Sequence, residues 1–510
     1  MTGIKMKKIN LQKFSKGSST LEILIAFAVL ILSITSVIMV GFGNQSNTVD
    51  TETNNEALYK AQAILEEARA LSRANFADVK TATSTETSGA LLYDKELAVL
   101  DISECKKQAT STVTWATTTP RTQKIELTTY LTSTDAFFAL GGDCPLNAPE
   151  DEWNPPAVFA DDTINPGDFS TLDVLNKIVY LGSDSDNVNN QHFYIADART
   201  VISAGIPGQS GGLMVAFANS FNDDGETLNE INDIDAYKDF ATGKIYAFIA
   251  MASTTAQLAV LDVTDINNPE LVAKRRLSGI TGSGSTAWGW RIYYYDKKVY
   301  ITAREVGGPE LHVFDVDLSN ADPAERLKER GSKQLNTTVN DLVVRDGIGF
   351  FATETDTRGE LLVYNVSNPA LITEIAGAGH NFSGNEDGRS LFLLGNKLYF
   401  GRDEIATGPE FYILDASNPL TAVGGLPIIG QQEINANVTD IRIAGRFAFL
   451  ASHSGGSRGF YVWNILNPTN IQSIYLDFNF GNKPIAIDYE DNFVYATGLS
   501  TPNLQILYSP

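Results

Sequence analysis

Lys397-Leu398-Tyr399-Phe400, then Phe411-Tyr412-Ile413-Leu414-Asp415, then the turn Ser417-Asn418-Pro419: this stretch decides the fold. Each apolar run is short, rich in aromatic and β-branched residues, and bounded by Gly, Asp, Asn or Pro. That pattern reads as two strands and a turn. Its weight comes from repetition. The second run recurs as Phe193–Asp197, Leu258–Asp262, Leu311–Asp315, Leu361–Asn365, Phe411–Asp415, Phe460–Asn464 and Leu504–Tyr508, at steps of 65, 53, 50, 50, 49 and 44 residues. A strand precedes each copy, as in Lys177–Tyr180, Lys298–Ile301, Lys397–Phe400 and Phe493–Ala496. Several copies are followed by one kind of turn: Asn267-Asn268-Pro269, Ser367-Asn368-Pro369, Ser417-Asn418-Pro419 and Leu466-Asn467-Pro468. A fourth strand follows, such as Ala370–Ile375.

A period of about fifty residues with four strands per unit is the signature of a β-propeller blade, and seven copies predict seven blades. The last copy stops at Pro510, just after its third strand. Ala157-Val158-Phe159-Ala160, just ahead of the first blade, is the expected donor of the missing outer strand, which would join the ends of the ring and remove an open edge. Residues 157–510 are therefore expected to be an all-β seven-bladed propeller. The Leu-x-Val-x-Asp strands and Asn-Pro turns resemble those of bacterial proteins with LVIVD-type propeller repeats. That likeness bears on architecture and leaves function open.

The other end of the chain reads differently. Lys16-Gly17-Ser18-Ser19-Thr20-Leu21-Glu22 leads into an apolar run with no charged residue from Ile23 to Val40. As a helix, Leu21–Val40 would span roughly 30 Å, the thickness of a hydrocarbon core. A glutamate one turn into such a segment is costly and needs a partner. The leader carries Lys5, Lys7, Lys8, Lys13 and Lys16 and no acid, a bias that holds the N-terminus in the cytoplasm. An ordinary secretory signal fits poorly, because the apolar run is long and Gly41-Phe42-Gly43-Asn44 is no Ala-x-Ala site. Ala57, Leu58, Ala61, Ile64, Leu65, Ala68, Leu71 and Phe76 then recur at three- and four-residue steps, as on an amphipathic helix. Ser111–Trp115 and Lys124–Leu131 alternate like a hairpin, and Pro145, Pro149, Pro155, Pro156 and Pro166 mark a stiff linker.

The glycine–glutamate spacing resembles the class III signal of type IV prepilins and pseudopilins. That likeness implies cleavage between Gly17 and Ser18 by a prepilin peptidase. It makes Glu22 the fifth mature residue, which in this family neutralises the terminal amine of a neighbouring subunit. Ser18 stands where the family usually has Phe, at the site of N-methylation. The organisation expected is multi-domain: a leader at 1–17, a pilin-like α+β domain at 18–140 with a long helix over 18–77 and a small antiparallel sheet, a Pro-rich linker at 141–156, and the propeller at 157–510.

The chain has 510 residues and a formal charge of −23, a balance that argues against nucleic-acid binding and suits a solvated extracellular surface. Cys105 and Cys144 would meet an oxidising medium after export and could pair as one disulfide, with two unpaired buried thiols as the alternative. The placement resembles the single disulfide of many pilins. No Cys-x-x-Cys or His-x-x-x-His pair points to a zinc centre. The acidic loops holding Asp184 and Asp186, and Asn222 and Asp224, have oxygen ligands suited to calcium but miss the EF-hand register, and solvated loops are the stronger reading. Gly208-Gln209-Ser210-Gly211-Gly212 matches a nucleophile elbow in letters, yet Pro207 and the strand-like Leu213–Phe217 place it in a loop. Asp262, Asp315, Asn365, Asp415 and Asn464 recur where turn caps belong. His380 and His453 lie in Gly/Ser/Asn-rich loops that could line a propeller face, with ordinary surface histidines the stronger reading, while Trp288, Trp290, Arg291, Arg304, Arg402 and Arg458 fall in loops near repeat junctions, where propeller ligands usually dock.

No acid–base pair or cofactor motif stands out, so an enzyme is not expected. The function expected is a minor pilin of a type IV pilus-like filament that carries the propeller, at the tip, for adhesion. Its partners would be the peptidase, other pilins, the inner-membrane assembly machinery and a surface glycan or protein. The chain would begin as a single-pass cytoplasmic-membrane protein and end on the cell surface. A secretion or DNA-uptake pseudopilin, or a tethered propeller enzyme, are the alternatives.

Overall fold

The computed structural model describes residues 19–510 except 90, 104–105, 117–121, 133–151, 165–168, 184–191, 219, 222–225, 228, 240–241, 282–286, 305–306, 355–356, 454–458, 479–483 and 499–500. The chain divides into two compact units, residues 1–100 with 107–131, and residues 101–106 with 132–510.

In the first unit a helix runs Ser19–Ala74 and a four-stranded sheet follows in sequence order: Ala82–Ser88, Leu91–Ser103, Lys106–Ala116 and Thr122–Thr132. The sheet thus has two strands more than the hairpin the sequence suggested. Ala57, Ala61, Leu65 and Ala68 of the helix are buried against Tyr93, Val113 and Trp115 and against Ala109 and Leu131. Their three- and four-residue spacing puts them on one face. The small alanines let the helix lie close to the sheet. Lys60, on the same stretch, bridges Glu56 (3.3 Å) and Glu86, while Lys95 reaches Glu86 at 2.8 Å. The two amines hold the Glu86 carboxyl at about 2. Among the described residues no helix is long and apolar enough to cross a membrane. On Leu21–Val40 the described side chains are Ile25 and residues 27–36, and all of them are exposed.

The second unit is a ring of seven sheets. Blades 1 to 6 have as first strands Phe169–Leu175, Ile231–Lys238, Gly289–Tyr295, Val339–Arg345, Gly388–Leu394 and Asn437–Ala444, each followed by three more strands of its own sheet. Blade 7 takes Pro484–Glu490, Phe493–Gly498 and Leu504–Tyr508 from the end of the chain and Ala157–Asp162 from before blade 1. Ala160 lies opposite Ile506 and Asp162 opposite Leu504 in an antiparallel ladder. Each first strand packs on the next, and blade 7 packs on blade 1. Seven apolar clusters fill the seven spaces between blades; the one between blades 7 and 1, for example, joins Phe159, Leu172, Val179, Tyr495 and Ile506. Trp153, inside the stretch expected to be linker, is fully buried between blades 6 and 7, edge-on to Phe449 at 4.7 Å.

The second and third strands are buried along nearly their whole length, which explains their continuous apolar sequences. First and second strands are joined by tight turns with both residues at positive φ, as at Asn176-Lys177, Asp296-Lys297, Asp346-Gly347 and Asp491-Asn492. This conformation matches the twist of a hairpin. After the third strand, Asp262, Asn365, Asp415 and Asn464 each accept the N–H two residues on. Asp315 does not follow this rule: it takes Arg330 at 2.6 Å, and its blade turns two residues later on Asp317. Asn368 and Asn467 cap the single 3₁₀ turns begun by Pro369 and Pro468.

Candidate functional site

The first strands line a central channel of about 740 Å³. Each carries one extra residue near its start, shown by a register shift against the second strand in all seven blades. Such a bulge re-aims side chains. Here it produces a two-way latch between neighbouring blades.

The donor half of the latch comes from the bulge. Ser170 donates to the Ile231 carbonyl, Asn232 to Gly289, Asn340 to Gly388 and Thr439 to Pro484, each on the next blade. The acceptor half is a ring of aspartates. Ile292 N–H donates to Asp233, Leu391 to Asp341, Ile487 to Asp440 and Val174 to Asp488, at 2.7 to 2.9 Å. Asp173 and Asp235 take Ala236 and Tyr294 in the same way. Asp173, Asp233, Asp341, Asp440 and Asp488 also hold the N–H of the following residue. A carboxylate with two donors on its two oxygens suits the site as a neutral amide would not.

Enclosure raises these acids. Burial, with the neighbouring carboxylate Asp233, lifts Asp235 to about 7, and burial with Asp440 nearby does the same for Asp341. Asp173 is held well above its ordinary value by burial and by Asp488 and Asp235. Arg442 answers part of this charge. It bonds Asp440 (2.8 Å) and Asp488 (2.9 Å), and these two carboxylates outweigh burial in keeping it protonated. On blade 3 Arg291 and Tyr293 stand where blade 2 has Asp233 and Asp235. Arg291 takes over the latch by donating to the carbonyls of Asn340 and Asn232.

A second set of buried groups sits just before the third strands. Glu310, Glu360 and Glu410 are wholly buried. Each holds backbone N–H groups of the connection to the next blade: Leu335 and Asn336, Phe382, and Ile434 and Asn435. Gln257 does the same for Leu277. Glu360 is also paired with the fully buried Arg402 at 3.1 Å, whose guanidinium reaches Glu386 and the Ser383 carbonyl as well.

The residues singled out in the sequence meet different fates. Trp290, Arg291 and Arg304 come together on blade 3, both guanidiniums over the Trp290 ring, and of the three Arg291 lines the channel. Arg402 is interior rather than a docking side chain. His380 is partly buried, stacked on Phe382 at 4.8 Å and bonded to the Leu426 carbonyl. Ser210 lies in a two-residue strand beside Ala157–Asp162 and bonds Asp161, which is no nucleophile elbow. Gly17, Ser18, Cys105, Cys144, Asp184, Asp186, Asn222, Asp224 and Arg458 lie outside the described residues, as does the side chain of Glu22. Among the described residues no group of three or more His, Cys, Asp or Glu is placed to hold a metal ion.

The channel aspartates and the buried glutamates were missed in the sequence. Their signals exist: Asn232-Asp233-Ile234, Asn340-Asp341-Leu342 and Thr439-Asp440-Ile441 recur in step with the blades, and Glu310, Glu360 and Glu410 are spaced by fifty.

The sheets, their order and the ring define a seven-bladed β-propeller preceded by a small helix-and-sheet unit. No family model and no curated protein matches the chain. Among solved structures it is similar to a chain of the mitotic checkpoint complex (9% identity, 72% of this chain and 95% of that one, TM-score 0.44) and to the WD40 β-propeller domain of Doa1 (11%, 70% and 97%, 0.45). It is also similar to BamB from Moraxella catarrhalis (10%, 66% and 93%, 0.36).

Proposed function

We propose that this chain is a pilin-type subunit that carries a recognition propeller on a filament. In this reading it is inserted N-in through Leu21–Val40, cut after Gly17 by a prepilin peptidase, and drawn by the inner-membrane machinery into a filament of other pilins. It displays the propeller at the tip, outside the cell, for adhesion or surface recognition of a glycan or protein. The propeller is too bulky to repeat along a tightly packed fibre. Recognition rather than catalysis is its role, since the channel carboxylates are engaged with backbone N–H groups.

One observation carries the proposal: a single helix with two environments. Its second half is buried against a sheet, while Ile25, Phe27, Val29, Leu30, Ile31, Leu32 and Ile34 of its first half are all more than half exposed. Apolar side chains exposed around a helix call for lipid or for neighbouring helices. The hydroxyls in that stretch are already satisfied within the helix, Ser33 on the Val29 carbonyl, Thr35 on Ile31 and Ser36 on Leu32. That arrangement suits an environment without water. Glu22 then has a job that only assembly supplies, pairing with the terminal amine of a neighbour. Glu22→Ala should leave membrane insertion intact and lower filament incorporation at least about tenfold, since an unpaired charge in low dielectric is strongly unfavourable. Incorporation equal to the wild type, read by immunoblot of sheared filaments, would remove this role.

A further inference from the structure

Blade 3 breaks the pattern at its bulge. In blades 1, 2, 4 and 6 the bulge side chain is spent on the latch to the next blade. In blade 3 Arg291 makes that connection, and Trp290 is released from it. The Trp290 indole N–H is enclosed and makes no hydrogen bond. The guanidinium of Arg304 lies over its ring at 4.9 Å and that of Arg291 at 5.1 Å.

The two arginines are not equivalent. Arg291 is committed to two backbone carbonyls. Among the described residues the ring contact is the one interaction the Arg304 side chain makes, and no carboxylate of those residues lies within salt-bridge distance. On blade 5 the corresponding positions are Arg389 and Asp403, which pair at 2.6 Å, so that charge is already answered. Arg304 is therefore a half-buried cation with no ion pair among the described residues, in a chain of net charge −23. It sits beside an N–H that lacks an acceptor. Trp288, also half-exposed, adds a second indole on the same strand approach.

We propose that Arg304, Trp290 and Trp288 form a binding site for an acidic saccharide. A uronic-acid unit has the two features this site calls for. Its carboxylate fits the Arg304 guanidinium fork, and its C–H face fits the half-exposed Trp288 indole. An acidic peptide would supply the first feature without the second. The proposal rests on the reading of the propeller as a recognition module, and not on filament assembly.

The test is titration of the full-length chain in detergent with trigalacturonate, neutral galactotriose and a glutamate tripeptide, followed by tryptophan fluorescence. Trigalacturonate should bind, with affinity falling as salt rises. Arg304→Gln should weaken it about tenfold or more, the scale of one charge-assisted contact, and Trp288→Ala should weaken it while keeping the unfolding midpoint. Lys124→Gln, in the other unit, should leave it unchanged. No binding of trigalacturonate at millimolar concentration, equal binding of galactotriose, equal binding of the tripeptide, or an unaffected Arg304→Gln would each overturn the proposal. Processing after Gly17 is read separately, so failure here is distinguishable from failure of the pilin reading.

Discussion

At the scale of single residues, the aspartates of the channel do work that looks unfavourable in isolation. Six carboxylates face one shaft, and enclosure raises several of them toward neutrality. They stay because each knits one blade to the next through backbone N–H groups that would otherwise be left without acceptors. The sign of their pH dependence follows. An aspartate in the unfolded chain titrates near about 3.9; Asp235 and Asp341 do so at about 7 when folded. The folded state binds their protons more tightly, so their contribution is full below about pH 4 and is lost as pH rises through 7. The unfolding midpoint should therefore be lower at pH 8 than at pH 6. Asp235→Asn combined with Asp341→Asn should narrow that gap while lowering the midpoint at pH 6, because the amide at 341 keeps one acceptor for the two N–H groups of Leu342 and Leu391, a loss of about 1 kcal/mol. Scanning calorimetry at the two pH values decides it; an unchanged gap would contradict the assignment.

At the scale of elements, the Asn-Pro turns do more than reverse the chain. The Pro369 carbonyl of blade 4 lies where a Cβ on Gly331 of blade 3 would sit, at 1.8 Å, and the Pro468 carbonyl of blade 6 meets Gly430 of blade 5 at 2.5 Å. Each 3₁₀ turn thus covers the outer strand of the preceding blade and shields an edge that could otherwise pair with another chain. Gly331→Ala and Gly430→Ala should each destabilise by about 1–3 kcal/mol, as overpacking does, with the larger loss at Gly331. Denaturant unfolding measures this, and neutral substitutions would mean that the turns merely lie nearby. The same elements explain what was legible in the sequence. Phe411–Asp415 and its relatives stood out because strands buried on both faces read as unbroken apolar runs. Ala157–Ala160 could be named as the closing strand because the last repeat was short of one, and the structure extends it to Asp162. The first strands were harder to see. An extra residue breaks their period-two alternation, and their charged side chains turn inward to the channel, so Thr439-Asp440-Ile441-Arg442 looks like surface. Glu310, Glu360 and Glu410 looked like loop residues for a related reason: what buries them is the connection to the next blade, distant in sequence. Trp290 and Arg304 were marked only by lying near junctions; their stacking depends on the fold.

At the scale of the whole molecule, two units of different kinds share one chain. The propeller is closed on itself by Ala157–Asp162 and needs nothing from the first unit for its ladders. The helix Ser19–Ala74 leaves a row of apolar side chains without partners in its own unit. The pairing of a self-sufficient ring with an unsatisfied helix is the basis for reading the first as cargo and the second as the means of delivery. Met1–Gly17, proposed above as a cleaved leader, is where that reading is most exposed to test. Co-expression with a prepilin peptidase, followed by intact-mass measurement of the membrane-extracted protein, should give a chain shorter by the seventeen residues Met1–Gly17. Gly17→Val should block the cut. A product that keeps Met1–Gly17 in the presence of active peptidase would contradict the account.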